Sequence, residues 1–223
     1  VPDRRSRRSD AQRNDRALLR AARAVIARDG ARASVAAIAA DAGVGVGSLY
    51  RRWPSKEKLF EHLLEVANEE WDRIAQEGLA HEDPWEGFAH YFAAAVGFGP
   101  GTLGPLAGTV ELTPRAAAAA RRSDEAVEAI IARARSAGEL RADVTAVDVS
   151  LLIEQMSRSP LIEQLAQQGR DDLRDAAAHA RRRLVAIVLD GLREPAATPL
   201  PGPRPAERLL TARWEMVEYR PAR

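Results

Sequence analysis

Residues 34 to 60 read Ser-Val-Ala-Ala-Ile-Ala-Ala-Asp-Ala-Gly-Val-Gly-Val-Gly-Ser-Leu-Tyr-Arg-Arg-Trp-Pro-Ser-Lys-Glu-Lys-Leu-Phe. The spacing predicts two short helices, a tight turn between them and the start of a longer third. Ser34 can N-cap the first helix, because its hydroxyl can accept from an otherwise unpaired N–H two or three residues on. Ile38, Ala39 and Ala42 recur at helical spacing. Gly43 ends the helix, since glycine takes the left-handed C′ conformation without a steric penalty. Val44 follows as an apolar plug, and a second helix runs through Leu49 to Trp53. Pro54 stops it by pushing its predecessor out of the α region, and Ser55 caps the next helix.

This is the grammar of a helix-turn-helix. Ile38, Val44, Leu49 and Trp53 point inward, and Ala39 is small where two backbones must approach. Gly45, Val46, Gly47, Ser48, Tyr50, Arg51 and Arg52 remain outward on the second helix. Small residues at its N-terminus let a helix approach base edges, while Tyr50 and the two arginines reach phosphates. An ordinary helical hairpin with glycines is the competing reading of the hairpin taken alone.

The run Gly43-Val-Gly-Val-Gly-Ser-Leu-Tyr-Arg-Arg-Trp-Pro-Ser-Lys-Glu-Lys-Leu59 resembles the DNA-binding signature of the TetR family of bacterial transcriptional regulators at almost every position. The resemblance implies an all-α protein. An N-terminal three-helix helix-turn-helix domain would be joined by a long helix to an all-helical ligand-binding and dimerisation domain. It also implies a repressor that binds a partly palindromic operator as a homodimer and is released by a small, largely apolar effector. Carried over by position, Ser34 and Lys56 touch phosphates, and Val46, Gly47 and Ser48 face bases. Tyr50 and Arg51 lie on the backbone, with Gly45 and Arg52 completing the surface. This chain departs from the family at Gly45 and Val46, where members often carry serine and lysine or arginine. With few polar groups on the reading helix, contact with thymine methyls or DNA shape takes more of the specificity.

Charge separates the two regions. Residues 1–60 hold 14 basic and 6 acidic side chains, a balance of +8, whereas the other 163 hold 19 and 26, or −7. A basic head on an acidic body fits a DNA-binding module attached to a regulatory domain. Only Lys56 and Lys58 are lysines, so arginine richness also reflects the composition of the chain in general. No cysteine is present, which excludes disulfides, thiolate catalysis and cysteine-ligated zinc. No apolar run approaches the length of a membrane span or a signal-peptide core. The expectation is a soluble cytoplasmic protein with no membrane partner, associated with the nucleoid when bound to DNA.

Four regions follow along the chain. Residues 1–13 read as a disordered basic arm, either a solvated tail or a segment that adds DNA affinity. Residues 14–60 are the DNA-binding domain, opened by a helix from about Asn14 to Asp29 with Leu18, Ala22, Val25 and Ile26 on one face. Residues 61–194 are the ligand-binding and dimerisation domain. A fourth helix is expected from Ser55 to Glu77, ended by Gly78. Asp83-Pro84 opens an aromatic helix, Thr113-Pro114 another, and Thr145 with Asp148 forms a capping-box variant before a third. A last helix is expected over about Asp171 to Arg193. Residues 195–223 are a linker with five prolines in its first eleven positions and an apolar tail around Trp214, which folds back, crosses to a partner or stays disordered.

The resemblance places an effector pocket in the second domain, with Trp85, Phe88, Tyr91, Phe92, Leu103, Leu152 and Met156 as its candidates. An aromatic stripe is more often core than pocket, and in this family the core contains the pocket. Leu152, Leu184, Ile187 and Val188 are the dimer candidates. Gly99-Pro-Gly-Thr-Leu-Gly104 matches G-x-G-x-x-G by letter, yet no strand precedes it and no βαβ unit follows, so nucleotide binding is rejected. A mobile connection with a short helix near Leu103 to Thr109 is expected instead. His62, His81, His90 and His179 are scattered; His62 reads as a surface residue, and His90 as structural rather than ligand-binding. No metal, cofactor or catalytic residue is expected. An all-helical enzyme and a protein-binding adaptor with a helix-turn-helix-like hairpin are the alternatives.

Overall fold

The structure is a computed structural model, and it describes residues 15, 17–26, 29, 32–99, 110–157, 168–195, 198–206 and 208. Apart from one isolated bridge between Leu140 and Arg193, the regular structure among these residues is helical. The helices are α1 (helical through 17–26), α2 (Val35–Asp41), α3 (Val46–Arg52), α4 (Lys56–Leu79), α5 (Pro84–Phe98), α6 (Pro114–Ser136), α7 (Ala146–Ser157) and α8 (Arg174–Leu192). A 3₁₀ turn, Asp171–Leu173, leads into α8, so the last helix begins three residues later than its sequence signals suggest. Among the described residues no helix is long and apolar enough to cross a membrane.

The chain divides into two compact units. The described residues up to Glu70 and from 110 to 121 form the first; those from Trp71 to Gly99 and from Arg122 onward form the second. In the first, α1 buries Leu18, Leu19, Ala22, Val25 and Ile26, α2 buries Val35, Ile38 and Ala39, and α4 buries Leu59, Phe60, Leu63 and Leu64. Leu49 is the buried residue of α3. Each fully buried side chain of this size contributes on the order of 1.5–3 kcal/mol, which holds three short helices that would not persist alone. Thr113 starts α6 by accepting from Ala116 N at 3.2 Å, and Arg115 pairs with Glu69.

The core of the second unit is built on α5, which packs against α7 and α8. Trp85, Phe88, Tyr91, Phe92, Ala95 and Val96 are buried there with Ile130, Ile131, Leu140 and Ile153. Asp83 caps α5 by accepting from Glu86 N at 2.8 Å, and Pro84 occupies its first turn. Thr145 and Asp148 exchange hydrogen bonds in both directions at the start of α7, the reciprocal capping that their spacing predicts.

Gly78 does not end α4. The helix continues to Leu79, and Arg133 takes over its C-terminus by donating to the carbonyls of Leu79, His81 and Glu82. Gly78 is instead a packing glycine. A Cβ there would stand 2.8 Å from Tyr91 Cβ, and one on Gly87 would stand 2.6 Å from Gly78 O. The two glycines let the backbones of α4 and α5 touch.

The proline-rich stretch is also more than a spacer. Arg141, a buried arginine, donates to Gly191 O and to Thr198 O, and its backbone N–H reaches Leu192 O. Asp143 accepts from the Leu200 N–H, and Arg204 donates to Ala142 O. Described residues from 198 to 204 are therefore strapped to the segment between α6 and α7. Expectations for residues 1–13, Leu103 to Thr109 and the tail around Trp214 fall outside the described residues.

Candidate nucleic-acid interface

The turn between α2 and α3 fixes the surface. Ser34 is extended, and its Oγ accepts from Ala37 N at 3.1 Å, so the N-terminus of α2 is capped as its sequence requires. At the other end Gly43 has φ +67°, Gly43 N–H donates to Ala40 O and Val44 N–H to Ala39 O. This is a Schellman arrangement, and it needs a residue that tolerates positive φ. Val44 is half-buried beneath the bend.

From there α3 presents one face inward through Leu49. Gly45, Val46, Gly47, Ser48, Tyr50, Arg51 and Arg52 are all exposed, Val46 at 42% and Tyr50 at 48%. Ser34 is exposed at the start of α2, and Lys56 is half-buried with its Nζ 5.1 Å from the Phe60 ring centre. The predicted DNA-binding residues thus lie at the start of α2, along α3 and at the start of α4, within the part of the sequence carrying the excess of positive charge.

The two arginines differ. Arg51 donates from Nη2 to Ser48 Oγ at 3.3 Å on the exposed face. Arg52 turns to Asp15 on α1, with Nη1 2.9 Å from Oδ1 and Nη2 3.2 Å from Oδ2, and its guanidinium lies 4.4 Å from the centre of the Trp53 ring. Its charge ties the end of α3 to α1. His62, on α4, joins the same cluster and is not the surface residue expected from sequence. Its ring lies 4.7 Å from that of Trp53, and its Nε2 is 3.6 Å from Asp15 Oδ1. Burial holds the imidazole below the ordinary histidine range, opposed by Asp15. Sequence reasoning missed this cluster because its members sit 37 residues apart and share no local periodicity. A cleft of about 300 Å³ beside it is lined by Arg52, Trp53, Lys58, Glu61, His62 and Glu65. Charged groups there are already engaged: Lys58 with Glu61 at 2.7 Å, and Glu65 with the Thr113 hydroxyl.

The residues expected in the second unit lie as follows. Trp85, Phe88, Tyr91 and Phe92 are buried core, with ring centres 5.6 Å apart for Trp85 and Phe88 and 6.2 Å for Phe88 and Phe92. Burial and nearby Asp124 push the Tyr91 phenol well above its ordinary range. Leu152 and Met156 on α7 are partly buried against that core. Leu103 falls outside the described residues. On α8, Leu184 and Ile187 are 57% and 62% exposed, while Val188 is half-buried. His81 and His90 stack with ring centres 4.7 Å apart, and no group of three or more His, Asp or Glu among the described residues is placed to hold a metal.

Comparison with known proteins adds two family matches. Residues 18–63 match the family described as bacterial regulatory proteins, tetR family, and residues 83–194 match the SbtR-like transcriptional regulator C-terminal domain. No curated protein matches the chain. A TetR transcriptional regulator from Streptomyces coelicolor is 25% identical, with a TM-score of 0.50 over 82% of this chain and 99% of its own. The TetR-like regulator LfrR from Mycobacterium smegmatis, solved with proflavine, is 21% identical and shares the fold, with a TM-score of 0.53 over 85% of this chain and 99% of its own.

Proposed function

The chain belongs to the TetR family of bacterial transcriptional regulators, and from that premise we propose that it is a repressor that binds a partly palindromic operator as a homodimer and is released by a small, largely apolar effector. It is a transcription regulator and not an enzyme. The observation that carries the DNA reading is the exposed row Gly45 to Arg52, broken only by buried Leu49, on a head with a charge of +8. Electrostatic attraction brings this face to the duplex, and the first turn of α3 enters the major groove.

The homodimer is supported by Leu184 and Ile187, two large apolar side chains left in solvent on one face of α8. Leu152 and Val188, the other two candidates, are half-buried against the core of the second unit. The effector site is assigned to the aromatic core of the second unit, where Trp85, Phe88, Tyr91 and Phe92 meet Leu152 and Met156, with Leu103 as the seventh candidate. A ligand that prefers the conformer unable to bind DNA shifts the population toward it, and by reciprocity DNA weakens the ligand.

The experiment is selection of binding sites from a randomised duplex pool by the full-length protein, followed by titration in fluorescence anisotropy. Enrichment of two half-sites related by inverted symmetry supports the proposal. Retention no stronger than that of an acidic protein lacking this head would end it.

A further inference from the structure

Resting on the DNA-binding reading above, we propose that Val46 reads the 5-methyl groups of thymine, and that Gly45 and Gly47 are kept free of side chains so that Val46 reaches them. Three observations converge on the first turn of α3.

Val46 is an aliphatic side chain standing 42% exposed at the first helical position. A large part of that side chain is open to solvent, and the turn that carries it is the part of a reading helix that contacts base edges.

The second observation is that the fold does not need the two glycines beside it. Gly45 is an extended N-cap residue with φ −69°, Gly47 is helical, and neither has positive φ. Among the described residues, a Cβ added at either would meet no atom within 4 Å beyond its chain neighbours and its own helix. Gly78 and Gly87 contrast with them, since there the protein's own backbone fills the space. Inside a helix, as at Gly47, glycine costs stability relative to alanine, while at the N-cap Gly45 supplies no side-chain cap. Among the described residues no packing contact calls for glycine at either position, so the space they leave open faces outward, to the partner surface.

The third is what this turn lacks. Between Gly45 and Leu49 the sequence has no Arg, Lys, Asn, Gln, Asp or Glu, the side chains that pair with base edges in a sequence-selective way. Its one polar side chain is Ser48, which serves donors and acceptors alike and already receives Arg51 Nη2 at 3.3 Å. The major groove displays one apolar group, the thymine methyl. An isopropyl group flanked by two glycines fits that chemistry and no other feature of the groove floor.

The test uses the full-length protein and duplexes it selects from the randomised pool. Each thymine in the selected site is replaced in turn by deoxyuridine, which removes the methyl and keeps the pairing edge. At one thymine per half-site the replacement is expected to weaken binding roughly 3- to 10-fold. Val46→Ala should weaken binding to the thymine duplex by a similar factor, and variant and deoxyuridine together should weaken it no further. Gly47→Ala should raise the melting temperature, because alanine favours the helix, and lower affinity for the selected site. Sequence-selective binding that ignores every methyl, as shape readout would give, overturns the assignment to Val46 and leaves the DNA reading standing. Independent, additive losses in Val46→Ala and deoxyuridine also overturn it. A protein that retains no duplex from the pool overturns the DNA reading itself, and this inference with it.

Discussion

Arg51 and Arg52 are neighbours whose charges are committed differently. Arg51 stays on the exposed face of α3, whereas Arg52 is held by Asp15 and stacked on Trp53. Replacing Arg51 with alanine should therefore weaken specific and non-specific DNA binding alike, and flatten the logarithmic salt dependence by about one unit per lost phosphate contact. Arg52→Ala should lower the melting temperature first, since it leaves Asp15 without its guanidinium. Equal melting temperatures for the two variants would show that the Asp15 contact contributes nothing. His62 makes a pH prediction in the same cluster. It is faced by Asp15 from α1, Arg52 from α3, and Lys58, Glu61 and Glu65 from its own helix. Its folded pKa is depressed below the unfolded value of 6.5, so the unfolded chain binds the extra proton. The contribution of neutral His62 is complete above that value and is lost as pH falls through the folded one. Melting temperature should drop on going from about pH 7 to about pH 5 more steeply in the wild type than in His62→Gln; parallel curves would remove His62 as the cause. At this scale the sequence is legible where the physics is local. Ser34, Gly43 and Leu49 follow from capping, positive φ and period, while the clamp around Arg52 depends on α1 and α4 arriving beside α3.

Helix boundaries show the same division one level up. Asp83-Pro84, Thr113-Pro114 and Thr145 with Asp148 act as starts because each satisfies N–H groups within three residues of itself. Gly78 misled because a glycine near a helix end looks the same whether it stops the helix or lets a neighbour in. The deciding atoms, Tyr91 Cβ and Gly87 O, lie thirteen and nine residues away and belong to another helix. Gly87 is the missed partner, and its signal is a glycine inside an otherwise good helix, which calls for a packing reason. Gly87→Ala should destabilise the protein by about 1–3 kcal/mol through overpacking, because the atom in the way is backbone and cannot swing aside. The measurement is denaturant unfolding, with Gly97→Ala on the same helix as control, where a Cβ meets nothing within 4 Å. Equal stability of the two variants would mean that α4 and α5 do not cross at this glycine pair. The strap is a second element that sequence concealed. Five prolines read as a linker and say nothing of Arg141, Asp143 and Arg204, which tie residues 198–204 down.

For the molecule as a whole, the family fold and the charged head were readable because a specific motif and a charge imbalance are both carried by sequence. The dimer is a surface property and must be argued from what one chain leaves exposed. Leu184 and Ile187 lie three apart on α8, exposed by 57% and 62%, with Gly191 exposed one turn further on. Their exposure makes Leu184→Glu the cleaner probe, since more than half of that residue already faces solvent in a single chain. Val188→Glu is a harsher one, because Val188 is half-buried against the core of its own unit. In a two-fold interface each substitution occurs twice, and burying an unpaired carboxylate on both sides costs several kcal/mol. Leu184→Glu should therefore keep its helical circular dichroism signal and run as a monomer in sedimentation at micromolar concentration, while the wild type runs as a dimer. Its affinity for a full palindromic site should fall toward that for a single half-site, because two heads must span half-sites roughly 34–36 Å apart. A wild-type monomer, or a Leu184→Glu protein that sediments as a dimer with full operator affinity, would mean that this face of α8 is not where two copies meet.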